Sequence, residues 1–385
     1  MSLYLDHNAT SVVRPAAMAA MARAMQTGGN PSSVHAAGRA AHALIETARE
    51  QVAALIAAPA STVVFTSGGT ESNAIAIESA VAAGARRIIL SAVEHDSVQE
   101  TTHVQPVPHE VMPVTRDGIA DLDWLKARLA AWDAADGKPF VALMLPNNET
   151  GVIQPVAEAA ELVRAADGWL HVDAVQSAGK IAVDSRALGA DTLSISAHKI
   201  GGPMGAGALT FGPRATLSRR QHGGGQERGR RGGTENVPGI VGFGAAAQEA
   251  LNGLPEFLAR AAWRDAAAQR LKAAGAVVMG EAAPRLPNTL NVAFAGWPAD
   301  IQVMALDLAG VMVSAGAACS SGKVKVSPVL AAMGQGDLAG CAIRVSGGWN
   351  TEEADWDRFA EIWLDAQARH VARHSKPLGQ PAGVA

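Results

Sequence analysis

The sequence has 385 residues, 48% hydrophobic and 18% charged, a globular balance that excludes a largely disordered chain and suggests two or three domains. Lys plus Arg number 32 against 36 for Asp plus Glu, so the net charge of −4 gives no general pull on nucleic acid or an anionic membrane. No apolar run is long enough to span a bilayer, and Asp6 and His7 interrupt the stretch a secretory leader would need. Two cysteines, Cys319 and Cys341, cannot build a disulfide framework, and a soluble, cytoplasmic protein is expected.

In chain order, Met18, Met21, Ala22 and Met25 form a short helical stripe, read as helix core. A longer stripe over 41–56, made of Ala41, Leu44, Ile45, Ala48, Val52, Leu55 and Ile56, predicts a second helix. Short apolar runs at 63–65, 87–90, 140–145, 169–172, 192–196 and 207–211 read as strands buried on both faces. Helix-length segments such as 72–83, 121–132 and 155–166 lie between them. This alternation predicts an α/β fold, a mainly parallel sheet with helices on both faces. Beyond residue 245 the pattern changes to Ala-rich helical stretches at 245–274 and 352–372, around strands near 288–295, 311–314 and 342–346. A large domain over 11–245 and a smaller α+β domain of 246–385 with 1–10 are therefore expected, with 374–385 a frayed tail.

Residues with chemistry gather where predicted strands end, the edge at which open α/β sheets bind ligands. FTSGGTESN (65–73) ends a strand, loosens the backbone at Gly68 and Gly69, and starts a helix at Thr70. Such a turn is either an anion site, most naturally for phosphate, or a tight turn capped by Thr70 or Ser72. It lacks the spacing of nucleotide and dinucleotide loops. HVDAVQ (171–176) puts Asp173 at the end of an apolar strand, where a buried carboxylate asks for a cation. A protonated cofactor nitrogen, an arginine, or a capping role would each answer. SISAHKIGGPMG (194–205) sets Ser196 and His198 at a strand end and Lys199 before a glycine-rich loop, in a chain where lysine is scarce. Lys199 is then either an amine for carbonyl chemistry or a solvated surface lysine. Phosphate, ring nitrogen and aldehyde occur together in pyridoxal 5'-phosphate, whose usual site pairs a lysine with an acid. His95, after the run 87–90, would stack on the ring and shuttle protons, or serve structure alone. No Cys/His set has metal-ligand spacing, and no metal is expected.

At this point the chain resembles the cysteine desulfurases of the class V aminotransferase group, fold-type I pyridoxal phosphate enzymes. The resemblance rests on YLDHNAT (4–10), GNPSSVHAAGR (29–39), FTSGGTESN, VEHDSV, NNETGVIQP (147–155), HVDAVQSAGK, SAHKIGGP, GGGQERGRRGGTEN (223–236), SAGAACSSG (314–322) and RVSGG (344–348). It implies a large domain with a seven-stranded sheet and a smaller α+β domain. It implies that Lys199 carries the cofactor, Asp173 faces its ring nitrogen and Gln176 its ring oxygen. Gly69, Thr70, Ser196 and His198 would hold the phosphate, and Thr234 would reach the phosphate of a neighbouring copy, so a homodimer is expected. Asn148 and Arg344, with Asn30 close by, would bind the carboxylate of the substrate, L-cysteine. Two departures stand out: Met204 occupies a position where the family often has lysine, and 374–385 lacks the longer extension with which one branch docks its scaffold.

The cysteine discriminates among activities. Cys319 lies in a segment of small residues beside Lys323 and Lys325, whereas Cys341 begins an apolar run and reads as core. The resemblance implies conversion of L-cysteine to L-alanine, with the sulfur held as a persulfide on Cys319 and passed to an acceptor protein, an iron–sulfur scaffold or a sulfur carrier. The alternatives are a selenocysteine lyase or another class V aminotransferase or lyase. Arg219, Arg220, Arg228, Arg230 and Arg231 lack interleaved aromatics and read as a loop near the dimer interface, not a nucleic-acid surface.

Overall fold

The computed structural model describes residues 2–316 and 326–374. Its main layer is a seven-stranded sheet built from β1 (Val63–Thr66), β2 (Ile88–Ser91), β3 (His109–Met112), β4 (Phe140–Ala142), β5 (Trp169–Asp173), β6 (Thr192–Ser196) and β7 (Gly207–Phe211). The spatial order is β1-β7-β6-β5-β4-β2-β3. The pairs from β6 across to β3 are parallel, and β7 runs antiparallel to both β1 and β6. Parallel strands end on one edge, so the chain leaving Ser91, Ala142, Asp173 and Ser196 opens on the same side. Phe140, Val141, Leu170, Val172, Leu193 and Ile195 are all buried, which is why these runs read as continuously apolar. At β7, Gly207 runs so close to the Gly68 main chain that a Cβ would stand 2.6 Å from it; only glycine lets the turn before Thr70 lie against the sheet.

The helices flanking this sheet include α1 (Pro15–Thr27), α2 (Ala36–Leu55), α3 (Gly69–Ala82), α4 (Asp96–His103), α5 (Leu122–Ala130), α6 (Val156–Ala165) and α7 (Val237–Asn252). The methionine stripe of α1 is not core. Met18 and Met25 are 53% and 66% exposed, and the buried face is Ala17, Ala20 and Ala24. The reason lies in α7, whose glycines invite close approach: a Cβ on Gly242 would stand 2.5 Å from Met21 Cγ. The missing Cβ makes room for Met21, which is half-buried there, while Met18 and Met25 stay exposed. The 245–274 stretch is three helices, α7 followed by Leu254–Ala259 and Ala261–Ala273. The core of the large sheet includes α7 as far as Ala250, beyond position 245. Neither β3 nor α4 is expected from the apolar pattern; β3 is an edge strand whose exposed residues hide the buried-strand pattern.

A four-stranded antiparallel sheet forms a second layer from β8 (Val277–Val278), β9 (Thr289–Ala293), β10 (Ser314–Ala315) and β11 (Ala342–Ser346), in the order β10-β11-β9-β8. Trp297, Leu306, Phe359 and Trp363 fill its core, with Leu3 and Leu5 from the chain's start. The latter arrive because Leu3–Tyr4 pairs in parallel with Val311–Met312. Cys341 is partly buried just before β11. Asp6 then bridges to Ser346, and the chain crosses from the small sheet to the open edge of the large one. Among the described residues no helix is long and apolar enough to cross a membrane.

Candidate active site

The loops at that edge enclose a cavity of about 350 Å³. Gly69, Thr70, His95, Asn148, Asp173, Gln176, Ser196, His198, Lys199 and Arg344 all line it. Asn30 does not: it lies on an exposed turn, its side chain accepting from Ser32 N at 2.9 Å. Thr234 is also exposed and outside the cavity lining of its own chain. Cys319, Lys323, Lys325 and the tail 375–385 lie outside the described residues.

Asp173, 5% exposed, closes β5. One carboxylate oxygen accepts from Val175 N at 2.9 Å and the other from Asn73 Nδ2 at 2.8 Å. Asn73 is fixed in turn, because His171 Nε2 donates to its Oδ1 at 3.0 Å and Thr192 Oγ1 lies 2.9 Å from His171 Nδ1. Burial pushes the His171 imidazole down to about 4, so the ring is neutral and its one N–H settles the orientation of the Asn73 amide. Glu94, fully buried in the cavity wall, accepts from Met144 N at 2.6 Å. Its carboxyl is pushed up to about 8 by burial and then by Asp173. Asp173 therefore has hydrogen bonds but no ion pair among the described residues, and it faces an open cavity.

Ser196 Oγ is buried with no hydrogen-bond partner. Near it α3 begins, with Gly69 pressed against Val175, where a Cβ would stand 2.7 Å from Cγ2. The first amides of a helix have no partner within it, and together with the Thr70 and Ser196 hydroxyls they make a cradle of donors. Arg231 pairs with Glu71 at 2.9 Å in the first turn of this helix. The other arginines of that loop are also engaged: Arg220 with Glu78 at 3.2 Å, Arg228 with Glu46 at 3.3 Å, Arg230 over the Phe211 ring. The loop is anchored by a buried Arg49–Glu227 pair, Nη1 to Oε2 at 2.7 Å and Nη2 to Oε1 at 2.9 Å. That pair holds Glu227 and Arg228 at φ of 47° and 55°, a strained conformation for residues with a Cβ.

The Lys199 amine donates to the main-chain carbonyls of Asn8 and Ala9 at 2.6 and 2.8 Å. Burial and then Arg344 pull it down to about 8, against the opposing pull of Asp173 and Asp6. His198 Nδ1 lies 3.2 Å from Thr10 Oγ1, and burial with the nearby Lys199 and Lys180 lowers its ring to about 4. His95 caps α4, its Nδ1 accepting from Ser97 N at 3.0 Å, so the proton of a neutral ring sits on Nε2.

Arg344 reaches the opposite wall from β11. Its guanidinium donates to Asp6 Oδ1 at 2.8 Å and to the Asn148 carbonyl at 3.2 Å, while its buried Nε has no partner. Asn8 joins the walls: its main-chain N bonds Ser346 Oγ at 2.9 Å, and its amide donates to Thr289 Oγ1 at 2.9 Å and to the Asn148 carbonyl at 3.2 Å. Sequence reasoning did not single out Asn8, Asn73, Glu94 or Lys180, although each lies in a motif it quoted.

The family model for class-V aminotransferases matches residues 3–359. A cysteine desulfurase of Cereibacter sphaeroides is 42% identical over 94% of this chain and 94% of its own length. The cysteine desulfurase IscS of Dictyoglomus turgidum is 38% identical over 94% and 93%. Among solved structures, a NifS-like protein from Rickettsia africae superposes with a TM-score of 0.88 at 32% identity, covering 96% of this chain and all of its own. A shared fold, a cavity lined by the motif residues, and this similarity across nearly the whole length agree: the chain belongs to the class-V aminotransferases, and within them to the pyridoxal phosphate-dependent cysteine desulfurase family.

Proposed function

We propose that the protein takes sulfur from L-cysteine, releases L-alanine, and carries the sulfur on Cys319 to an acceptor protein. The observation that carries this reading is the meeting of three groups in one cavity: a buried carboxylate without a cation, a lysine amine of lowered basicity, and an unpartnered buried hydroxyl beside a helix start. Pyridoxal phosphate fits all three. Asp173 would face its ring nitrogen, Lys199 its aldehyde, and Gly69, Thr70, Ser196 and His198 its phosphate, with Gln176 at the ring oxygen and His95 over the ring. When bound, the cofactor supplies an aldehyde for the substrate amine and an electron sink beside the substrate Cα.

The chain's own residues supply the rest. Arg344 is the cation for the substrate carboxylate; its unpartnered Nε is a spare donor, and Asn148 stands beside it. Lys199, lowered to about 8, has a sizeable fraction of free amine near neutral pH and serves as the base that takes the Cα proton. His95 exchanges a proton with the substrate thiol through Nε2. The Cys319 thiolate then attacks the substrate sulfur; an S–S bond forms as the C–S bond breaks and its electron pair stays with Cβ, and the three-carbon remainder takes up one proton at Cβ and regains one at Cα from Lys199 before it leaves as alanine. Thr234, exposed and outside its own cavity lining, serves a second copy of the chain, so the working form is a homodimer. The receiving partner is an iron–sulfur scaffold or a sulfur carrier, and the setting is cytoplasmic.

Replacing Cys319 by Ser should leave a yellow, cofactor-loaded protein that no longer hands on sulfur to a thiol acceptor. A variant that desulfurates cysteine at the wild-type rate would remove Cys319 from the reaction.

A further inference from the structure

Lys180 follows the Asp173 strand and is only 4% exposed. Among the described residues it has no carboxylate partner; its amine donates to Gln176 Oε1 at 2.6 Å and to Asn8 Oδ1 at 3.0 Å. A buried lysine held by two neutral amides is costly and demands a reason. The reason lies in what those amides do next. Lysine only donates, so the Gln176 oxygen must face Lys180 and its NH2 must face the other way. There Gln176 Nε2 donates to the Asn8 carbonyl at 2.8 Å, the same carbonyl that receives the Lys199 amine at 2.6 Å. Asn8 Oδ1, likewise turned to Lys180 and to Asn288 at 3.3 Å, leaves its NH2 for Thr289 and Asn148. Burial, then Lys199 and Arg344, hold the Lys180 amine well below its usual basicity.

We propose that Lys180 is a positioning residue: its two donated hydrogen bonds lock the amides of Gln176 and Asn8 in one orientation, and through them the carbonyl cage around Lys199. This rests on the reading that Lys199 carries the cofactor. The charged and titratable groups around the cage are Lys199, Arg344, Asp173, Asp6, His198 and His7. Without Lys180 the Gln176 amide is free to turn away, and the Asn8 carbonyl, no longer shared with Gln176 Nε2, accepts from Lys199 alone, which favours the protonated form at Lys199.

The test uses the full chain loaded with pyridoxal phosphate, titrating its visible absorbance with pH in the wild type, K180M, Q176L and the double variant. In K180M the transition should move up by about one pH unit, the size of one lost hydrogen bond, and cofactor retention on dialysis should fall about fivefold. The double variant should shift no further than the larger single one, since Lys180 acts through Gln176. Unchanged transition and retention in K180M, or fully additive shifts, would overturn the proposal. Should K180M not fold, K180Q takes its place in the same cycle and is judged by the same outcomes. A wild type with no borohydride-reducible adduct at Lys199 would overturn the functional reading itself, and this inference with it.

Discussion

The two walls of the cavity are reached by different routes. Asp173, Ser196 and Lys199 come from the ends of two neighbouring parallel strands, where pairing fixes their relative positions: Asp173 lies opposite Ser194 in the ladder. Arg344 comes from an antiparallel strand of the other sheet and meets the first wall through Asp6, Asn8 and Asn148. The first wall is held by the backbone of a buried sheet, the second by side-chain hydrogen bonds between distant segments. Changes on the first wall should therefore remove chemistry and spare the fold, whereas changes on the second should disturb substrate binding first.

The sharpest way to break this comparison is Asp173→Asn. A neutral amide cannot hold a positive ring nitrogen, so kcat should fall about 10²-fold or more. In the cofactor-free chain the Asn must turn its NH2 toward Val175 N or Asn73 Nδ2, so one hydrogen bond is lost and the unfolding temperature should fall by no more than a few degrees. A collapse in stability instead would show that the large-sheet wall relies on this side chain for its fold. On the second wall, Arg344→Lys keeps the charge and loses the planar fork, so KM for cysteine should rise about tenfold with a smaller change in kcat. An equal loss in kcat alone would mean that Arg344 acts on the reacting atoms instead of the carboxylate.

The smallest effect is on the pH dependence of stability in the cofactor-free chain. His7, His171 and His198 are held at about 4, so between 6.5 and 4 the unfolded chain binds more protons than the folded one. Stability is thus lost as pH falls through that window. Glu94, raised to about 8, binds more protons when folded, and stability is lost as pH rises from 4.5 toward 8. With three rings against one carboxyl, stability is expected to fall on the acid side of about pH 6.5, while above it the lowered amines of Lys180 and Lys199, which bind fewer protons when folded, oppose the effect of Glu94. Relative to the wild type, Glu94→Gln should gain thermal stability as pH rises from 6.5 to 8; a difference that does not change with pH would assign the proton elsewhere.

The contrast between the walls also explains what was legible in the sequence. Strands buried on both faces read as unbroken apolar runs, and the residues at their ends, Asp173, Ser196 and Lys199, fall inside short motifs. Edge strand β3 carries no such run. The α1 methionines misled because hydrophobic spacing cannot tell which side of the helix is covered: Ala17, Ala20 and Ala24 are buried and Met21 meets Gly242 of α7, while Met18 and Met25 stay exposed. Asn8 and Lys180 were unreadable for a different reason: the bond that joins them spans 172 residues of chain, although Lys180's other partner, Gln176, is near in sequence. Asn30, expected near the substrate, lies on an exposed turn outside the cavity lining of its own chain.

Everything in the site converges on the amine at Lys199, caged by Asn8 and Ala9 and facing the cavity. Borohydride reduction of the pyridoxal phosphate-loaded protein, followed by peptide mass mapping, addresses it directly. The account predicts one pyridoxyl adduct per chain, on the peptide containing Lys199; an adduct on Lys180 or another lysine, or none at all, would contradict it.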